Sequence, residues 1–294
     1  MAVEPLISIR DPRSRPHAEL DWRGRLERLE AWLRPLGRVV VAYSGGVDSS
    51  VLFRVAHQAL GAGALGVIGR SDSYAERELG LALEQAAAFG GRVEIVTTGE
   101  LSDPTFSSNP VDRCYHCKTE LYRELRVAAE RFGASAIVDG TIADDLSDWR
   151  PGRRAAGEAG VQSPLAELGF TKADVRAVAS HLGLASSLKP ASPCLASRIP
   201  YGVEITREKL EMVEKAEELL RSLGFTELRV RHHEDLARIE VPPADLPRLL
   251  EPGVRDKLID GLKSLGYRYI TIDLEGFRSG SLNPGNPSGP NSET

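Results

Sequence analysis

The stretch RVVVAYSGGVDSSVLFRVAHQALG, residues 38–61, decides the fold of this chain. Residues 38–43 form one continuous run rich in β-branched residues, which is typical of a buried strand in a parallel sheet. A pair of glycines breaks this run, and apolar residues then return at a helical period from Val51 to Ala59. A strand, a tight glycine turn and a helix in this order indicate the first unit of an α/β fold.

The same alternation continues on the carboxyl side of this unit. Strand-like runs and helix-patterned stretches follow one another in the order 64–69, 74–89, 92–97, 115–132 and 135–139. This pattern predicts an α/β fold with a doubly wound parallel sheet and helices on both faces. Ligands of such sheets bind beyond the carboxyl ends of the strands, so we expect the functional residues in the turns that follow them.

The pattern changes near residue 203 to a charged amphipathic helix at 206–223, followed by short strands and helical patches. We therefore expect a main domain over 1–202 and a smaller C-terminal α+β domain over 203–278. Residues 279–294 are polar and rich in glycine and proline, which predicts a disordered tail.

Composition and charge limit the class of protein. The 294 residues include 37 basic and 42 acidic side chains, for a net charge of −5. This balance argues against general coating of nucleic acid and against a polybasic membrane anchor, so we expect neither as a partner. No apolar run reaches the roughly 18 residues of a membrane span, and the first residues lack the plan of a signal peptide. We expect a cytoplasmic protein.

The hexapeptide SGGVDS at 44–49 is the sharpest functional signal. Gly45 and Gly46 let the backbone turn tightly and bring its N–H groups close to an anion. Ser44, Asp48 and Ser49 can cap the following helix, whose N-terminal dipole favours phosphate. No lysine stands beside the loop, which excludes the GxxxxGK[ST] loop of kinases and GTPases. The alternative interpretation is a capping turn that binds nothing.

A second candidate is the acidic stretch DGTIADDLSDWRPG at 139–152, which follows a predicted strand. Asp144, Asp145 and Asp148 crowd this turn, where carboxylates could bind Mg²⁺ or orient polar groups of a substrate. The alternative is a solvated acidic loop.

The three cysteines form the third candidate. Cys114 and Cys117 lie in RCYHCK at the expected start of a helix, where a thiolate is stabilised. Cys194 lies in a proline-flanked loop, SPCLASRIPYG. The bare pattern leaves structural zinc, a redox pair, cluster ligation and inert cysteines open. In cluster ligation, three thiolates would leave one iron of a four-iron cluster without a protein ligand.

Arginines supply candidate contacts for anionic groups. Arg229 and Arg231 alternate on a predicted strand, LRVRHH, and so face the same way. Arg198, in the loop of Cys194, is a further candidate for contact with a carboxylate. The alternative for the pair is an exposed, charged edge strand.

With SGGVDS between a predicted strand and helix, the chain resembles the PP-loop ATP pyrophosphatases. In that family this loop holds the pyrophosphate of ATP, and its aspartate, here Asp48, supports Mg²⁺. SPL at 163–165, PCLASRIPYG, RVRHHEDLARIEV and DLEGFRSGSLN extend the resemblance over about residues 18–283. Together they resemble the LarE family, the pyridinium biscarboxylic acid mononucleotide sulfurtransferases that serve the nickel-pincer nucleotide cofactor of lactate racemase.

This resemblance implies a reaction and a set of roles. ATP adenylates a carboxylate of a nucleotide-like small molecule, sulfur reaches the activated carbon, and AMP leaves. Cys194 matches the sulfur-bearing cysteine, which one branch consumes to dehydroalanine. In another branch three cysteines hold a 4Fe–4S cluster that donates a bound sulfide, and Cys114, Cys117 and Cys194 fit that branch.

The resemblance also implies that Arg229 and Arg231 grip an anionic group of the substrate, and it suggests a homo-oligomer. Asp144, Asp145 and Arg198 complete the expected substrate-binding set. Two other classes remain open, a PP-loop enzyme that thiolates tRNA and a nucleotide-sensing protein without turnover.

Overall fold

The computed structural model describes residues 21–146, 151–190 and 192–278. Its first sheet has four strands, β1 (Val39–Ala42), β2 (Ala64–Arg70), β3 (Arg92–Thr97) and β4 (Ala136–Val138). They run parallel in the order β3-β2-β1-β4, and Val40 of β1 lies beside Leu65 of β2 and Ile137 of β4. The predicted parallel sheet is therefore confirmed, with β1 inside it.

Eleven α-helices surround and extend this sheet in the described part of the chain. In chain order they are α1 (Trp22–Leu33), α2 (Val47–Leu60), α3 (Glu76–Ala88), α4 (Pro104–Ser107), α5 (Arg113–Phe132), α6 (Pro151–Glu158), α7 (Pro164–Glu167), α8 (Lys172–His181), α9 (Arg207–Ser222), α10 (Leu246–Leu249) and α11 (Pro252–Ser264). Among the described helices, none combines the length and apolar character needed to cross a membrane.

Both faces of the first sheet are covered. Val39 and Val41 point to one face, where they pack in a core with residues of α1, α2, α3 and α8. Val40 points to the other face and packs with Leu65 and with Leu125 of α5. Burial on both faces explains why β1 is apolar at successive positions, and it confirms the doubly wound arrangement.

A second, smaller sheet follows in the chain. It contains β5 (Arg229–His233), β6 (Leu236–Glu240) and β7 (Tyr269–Ile272), with β6 antiparallel to β5 and parallel to β7. Val230 and Ile239 pack with Leu220 of α9 and Leu262 of α11 in a core of their own. The expected α+β character of this region is confirmed. The domain boundaries stay predictions, and the expected disordered tail at 279–294 lies outside the described residues.

Candidate active site

The loop between β1 and α2 is built by close backbone contacts. Gly45 has φ +66°, and a Cβ at this position would lie 2.6 Å from Cβ of Ala82. A Cβ on Gly140, which follows β4, would lie 2.7 Å from the backbone nitrogen of Ser49. Glycine is therefore required at both places, by conformation at Gly45 and by the approach of β4 to the loop at Gly140.

Among the described residues, no side chain caps the backbone N–H groups in the first turn of α2. Gly46 is the N-cap residue and no side chain caps the helix there, so the prediction that Ser44, Asp48 and Ser49 cap it is wrong. The Ser49 hydroxyl instead donates to the Gly46 carbonyl at 3.1 Å and accepts from the Ser44 N–H at 3.2 Å. The Ser49 hydroxyl therefore stabilises the loop, and the N–H groups at the helix N-terminus stay available to bind an anion.

Two lysines from distant parts of the chain flank this loop. Nζ of Lys172, the first residue of α8, lies 2.9 and 2.8 Å from the two carboxylate oxygens of Asp48. Nζ of Lys189 lies 2.6 Å from Oε2 of Glu78 and 3.3 Å from the carbonyl oxygen of Gly45. Sequence reasoning found no lysine beside the loop, whereas the fold brings two. The sequence contains only seven lysines against thirty arginines, and this scarcity was the one feature of the sequence that set Lys172 and Lys189 apart.

The acidic stretch after β4 is largely occupied by local hydrogen bonds. Buried Asp139 accepts from the hydroxyls of Thr141 and Ser163, at 3.0 and 2.7 Å. Asp144 accepts from the backbone N–H of Lys172 at 2.8 Å, and Asp145 accepts from the N–H of Ile142 at 3.1 Å. Substrate binding by Asp144 and Asp145 stays a prediction.

Other residues of that stretch lie outside the described residues. They are Asp148, in the predicted acidic turn, and Trp149 and Arg150 beside it.

The three cysteines come from two elements that meet. Cys114 and Cys117 lie in the first turn of α5, and Cys194 immediately precedes a short 3₁₀ helix, Leu195–Arg198. Cys117 and Cys194 pack against the same apolar cluster, which includes Phe106. The sequence separates these elements by nearly eighty positions, and the fold places them in one neighbourhood.

The state of the Cys117 thiol differs from the expectation. Its Sγ lies 3.9 Å from Oε1 of Glu100, to which it donates a hydrogen bond. Burial raises the pKa of Cys117 well above its ordinary value, and the charges of Glu100 and Cys194 raise it further. The expected stabilisation of a thiolate at this helix start is therefore wrong for Cys117.

Within the described ranges, no three His, Cys, Asp or Glu side chains are arranged to hold a metal ion. Ligation of a cluster by Cys114, Cys117 and Cys194 stays a prediction.

Arg198 fixes the loop of Cys194 to helix α9. Its side chain is almost wholly buried, and its Nε and Nη2 donate to the two carboxylate oxygens of Glu217 at 2.8 and 3.1 Å. Nη1 donates to the carbonyl oxygens of Pro193 and Cys194 at 2.6 and 3.1 Å. Burial alone would raise the pKa of Glu217, but Arg198 and Arg221 together hold it below its ordinary value.

The two arginines of β5 are also buried, so the alternative of an exposed charged edge strand is wrong. Arg231 forms a two-pronged pair with Glu240, at 2.9 Å for both contacts, and donates to the Ser197 carbonyl at 3.0 Å. Burial and, after it, the charge of Arg198 lower the pKa of Arg229 to about 10. Their role in binding substrate, like that of Arg198, stays a prediction.

An open cleft lies beside the cysteine loop and is lined by residues of that loop, of the start of α3 and of α9. Tyr74 and Cys194 both line it, and the Tyr74 hydroxyl donates to the Ser44 carbonyl at 3.0 Å. The N–H of Leu195 donates to the Ser73 carbonyl at 2.8 Å, which holds the cysteine loop against the end of β2. Tyr74 therefore connects the glycine loop to the cleft that Cys194 lines.

No protein-family model matches the chain, but several curated proteins do. An uncharacterized protein of Synechocystis sp. is 44% identical over 259 residues, which cover 88% of this chain and 97% of that protein. The pyridinium-3,5-bisthiocarboxylic acid mononucleotide synthase of Lactiplantibacillus plantarum is 42% identical over 256 residues, covering 87% and 92%. A glutamine-hydrolysing GMP synthase component from Archaeoglobus fulgidus is 31% identical over 203 residues, covering 63% and 64%.

Proposed function

The chain belongs to the LarE family of PP-loop, ATP-dependent sulfurtransferases, and we propose that it adenylates a carboxylate of pyridinium biscarboxylic acid mononucleotide and replaces a carboxylate oxygen with sulfur. AMP and pyrophosphate are the other products. The observation that carries this proposal is that Ser73 and Tyr74, which follow β2, contact the loop of Cys194 and the glycine loop respectively, because the reaction needs an activated carboxyl carbon and a sulfur atom at one place.

The glycine loop is the proposed site of the ATP phosphates. Backbone N–H groups from Gly46 to Ser49 point beyond the N-terminus of α2, where the helix dipole favours negative charge. The ammonium groups of Lys172 and Lys189 lie on two sides of the loop, where they offset the negative charges of Asp48 and Glu78. These groups would stabilise the pyrophosphate as the substrate carboxylate attacks the α-phosphorus and the bond to pyrophosphate breaks.

Asp48 is the residue that would hold Mg²⁺. The ammonium of Lys172 lies against both of its oxygens, so the carboxylate already supports a cation at this position. Carboxylate oxygen is a ligand that Mg²⁺ prefers, and the ion would neutralise phosphate charge when bound.

Cys194 is the proposed sulfur-bearing residue. A carboxylate is a poor electrophile, and adenylation turns one of its oxygens into a leaving group. In the sacrificial alternative the Cys194 thiolate attacks the activated carbon and AMP departs. The Cα proton is then removed, the Cβ–S bond breaks, and a thiocarboxylate and dehydroalanine result.

Iron–sulfur chemistry is the proposed source of sulfur in preference to that alternative. Cys114, Cys117 and Cys194 would hold a 4Fe–4S cluster, and the proximity of three thiols from two elements around Cys117 supports this proposal. When bound, the cluster would supply a sulfide at the iron that has no protein ligand, and Cys194 would remain intact.

Thiolation of tRNA is the second candidate function because it also uses a PP-loop and clustered cysteines. A tRNA substrate calls for a basic face, whereas this chain carries a net charge of −5. The charge therefore favours the small anionic substrate.

Pyrophosphate release tests the proposal directly. We expect release that depends on ATP and the biscarboxylate mononucleotide, none that depends on tRNA, and loss of release in Asp48→Asn. Asp256→Asn, an exposed substitution on α11, serves as the matched control. Release that required tRNA, or that persisted in Asp48→Asn, would contradict the assignment.

Mass spectrometry of the same reaction separates the two sulfur sources. If a cluster supplies sulfur, Cys194 keeps its mass after turnover, anaerobically purified protein is brown, and Cys114→Ala is bleached. Colourless protein whose Cys194 loses sulfur after one turnover would establish the sacrificial alternative.

A further inference from the structure

Two arginines from different helices line the cleft beside Cys194. Arg77 lies in the first turn of α3, and Arg221 lies in the last turn of α9. Both line the cleft together with Cys194. Neither arginine belongs to the sequence motifs, and neither is needed for ATP or sulfur in the reaction above.

On the α9 side of the cleft, two guanidinium groups contact one buried carboxylate. Glu217 is held by both prongs of Arg198 and also accepts from Nη2 of Arg221 at 2.9 Å. Arg198 already neutralises Glu217, so the charge of Arg221 is a surplus positive charge on this wall. Its side chain is 22% exposed, which leaves the guanidinium accessible to a ligand.

The α3 side repeats this arrangement with a different pair of cations. Glu78 contacts Nζ of Lys189 at 2.6 Å and Nη1 of Arg77 at 3.4 Å. Lys189 lies much closer, so Arg77 is again the surplus cation, and its side chain is 50% exposed. The nearby Glu214 accepts from the N–H of Glu76 and does not line the described part of the cleft.

Two surplus cations facing one cleft fit an anion between them, and guanidinium groups match the geometry of a carboxylate. We propose that Arg77 and Arg221 bind the second carboxylate of the substrate, the one that is not being activated. This inference rests on the proposed function, in which both carboxylates stand on one ring. When one carboxylate faces Cys194, the other remains within the same cleft, and the arginine pair selects a biscarboxylate over a monocarboxylate.

Calorimetric titration with two ligands tests this assignment. The ligands are pyridinium biscarboxylic acid mononucleotide and the corresponding mononucleotide with one carboxylate, so both keep the phosphate. We expect the wild-type protein to bind the biscarboxylate about 10- to 100-fold more tightly. This is the gain in affinity that hydrogen bonds between charged groups usually give. Arg77→Gln and Arg221→Gln should each reduce that preference by about tenfold and leave the affinity for the monocarboxylate unchanged.

Arg255→Gln is the matched control. Arg255 is 53% exposed and pairs with Asp256, its neighbour in sequence, as Arg77 is 50% exposed and pairs with Glu78. The control should keep the wild-type preference, and the dissociation constant for ATP should stay unchanged in all three variants. This last measurement also shows that each variant is folded.

The outcomes separate the two proposals. An unchanged preference in both Arg77→Gln and Arg221→Gln would overturn the assignment, as would an equal loss of affinity for both ligands or a wild-type protein that does not distinguish them. Absence of substrate-dependent pyrophosphate release in the wild-type protein would instead overturn the proposed function.

Discussion

The glycine loop and the cysteine loop both contact the segment that follows β2, but different interactions hold them in place. Backbone conformation shapes the first, where Gly45 has a positive φ and a Cβ added to it would lie only 2.6 Å from Cβ of Ala82. Side chains shape the second, where buried Arg198 ties the carbonyls of Pro193 and Cys194 to Glu217 of α9. The first loop depends on close approaches of backbone, and the second depends on a buried ion pair with a distant helix.

This difference fits the demands of each half of the proposed reaction. A phosphate needs several N–H groups in fixed directions, which a glycine turn and a helix N-terminus supply. A sulfur donor must reach a carbon whose position is set by the substrate. Anchoring the cysteine loop to α9 through Arg198 links the sulfur to the element that also carries Arg221.

The largest expected effect is loss of the anchor of the cysteine loop. Glu217→Ala would leave the guanidinium of Arg198 buried without a carboxylate, and it would remove the acceptor of the Val230 N–H. We expect the free energy of unfolding to fall by about 3–5 kcal/mol, the usual cost of breaking a buried ion pair from one side. Urea denaturation of both proteins at neutral pH measures it.

Glu211→Ala is the control for this change, since Glu211 lies on the same helix in an exposed pair with Lys215. It should cost no more than a few tenths of a kcal/mol. Because the pKa of Glu217 is lowered in the fold, its stabilisation is present above the unfolded pKa of about 4.3 and is lost as pH falls through the folded pKa. A loss below about 1 kcal/mol at neutral pH would show that the anchor contributes little to stability.

A smaller effect is expected from the backbone-built loop. Gly45→Ala places a methyl group at positive φ and against Ala82, so we expect a loss of about 2–4 kcal/mol in the free energy of unfolding, together with weaker binding of ATP. Gly37→Ala is matched to it, because Gly37 also has φ +66° but has nothing within 4 Å of its Cβ position. The control should lose only about 1–2 kcal/mol.

Relief of the clash sharpens this second test. In the double variant Gly45→Ala/Ala82→Gly the added methyl group has room, so part of the lost stability should return despite the cost of a glycine inside α3. Equal losses for Gly45→Ala and Gly37→Ala would mean that the contact with Ala82 is unimportant.

The same contrast explains what could be predicted from the sequence. Local patterns predicted the strands of the parallel sheet, the glycine loop and the position of Cys114 and Cys117 at a helix start, because each of these is set by residues close together in the sequence. Lys172 and Lys189 reach the loop from 124 and 144 positions away, which no local pattern encodes. Sequence reasoning found Arg198 but not Glu217, because the choice of a buried partner is made only when α9 packs against the cysteine loop.

The smallest expected effect falls on Lys172, a distant residue that serves the local loop. Lys172→Met removes a half-exposed ion pair, so the free energy of unfolding should change by less than about 1 kcal/mol. The Asp48 carboxylate would then face the ATP phosphates without its ammonium partner, and the affinity for ATP should fall by about tenfold.

Calorimetric titration with ATP measures that fall, and Lys215→Met, which removes an exposed pair with Glu211 on α9, should leave the affinity unchanged. The direction of the effect is informative because Asp48 serves two cations. If Lys172 only occupies the place of Mg²⁺, its removal would free the carboxylate and ATP would bind with Mg²⁺ as tightly as before. A tenfold loss at saturating Mg²⁺ therefore means that Lys172 stays beside the phosphates, and that the backbone loop needs this one long-range side chain to bind ATP.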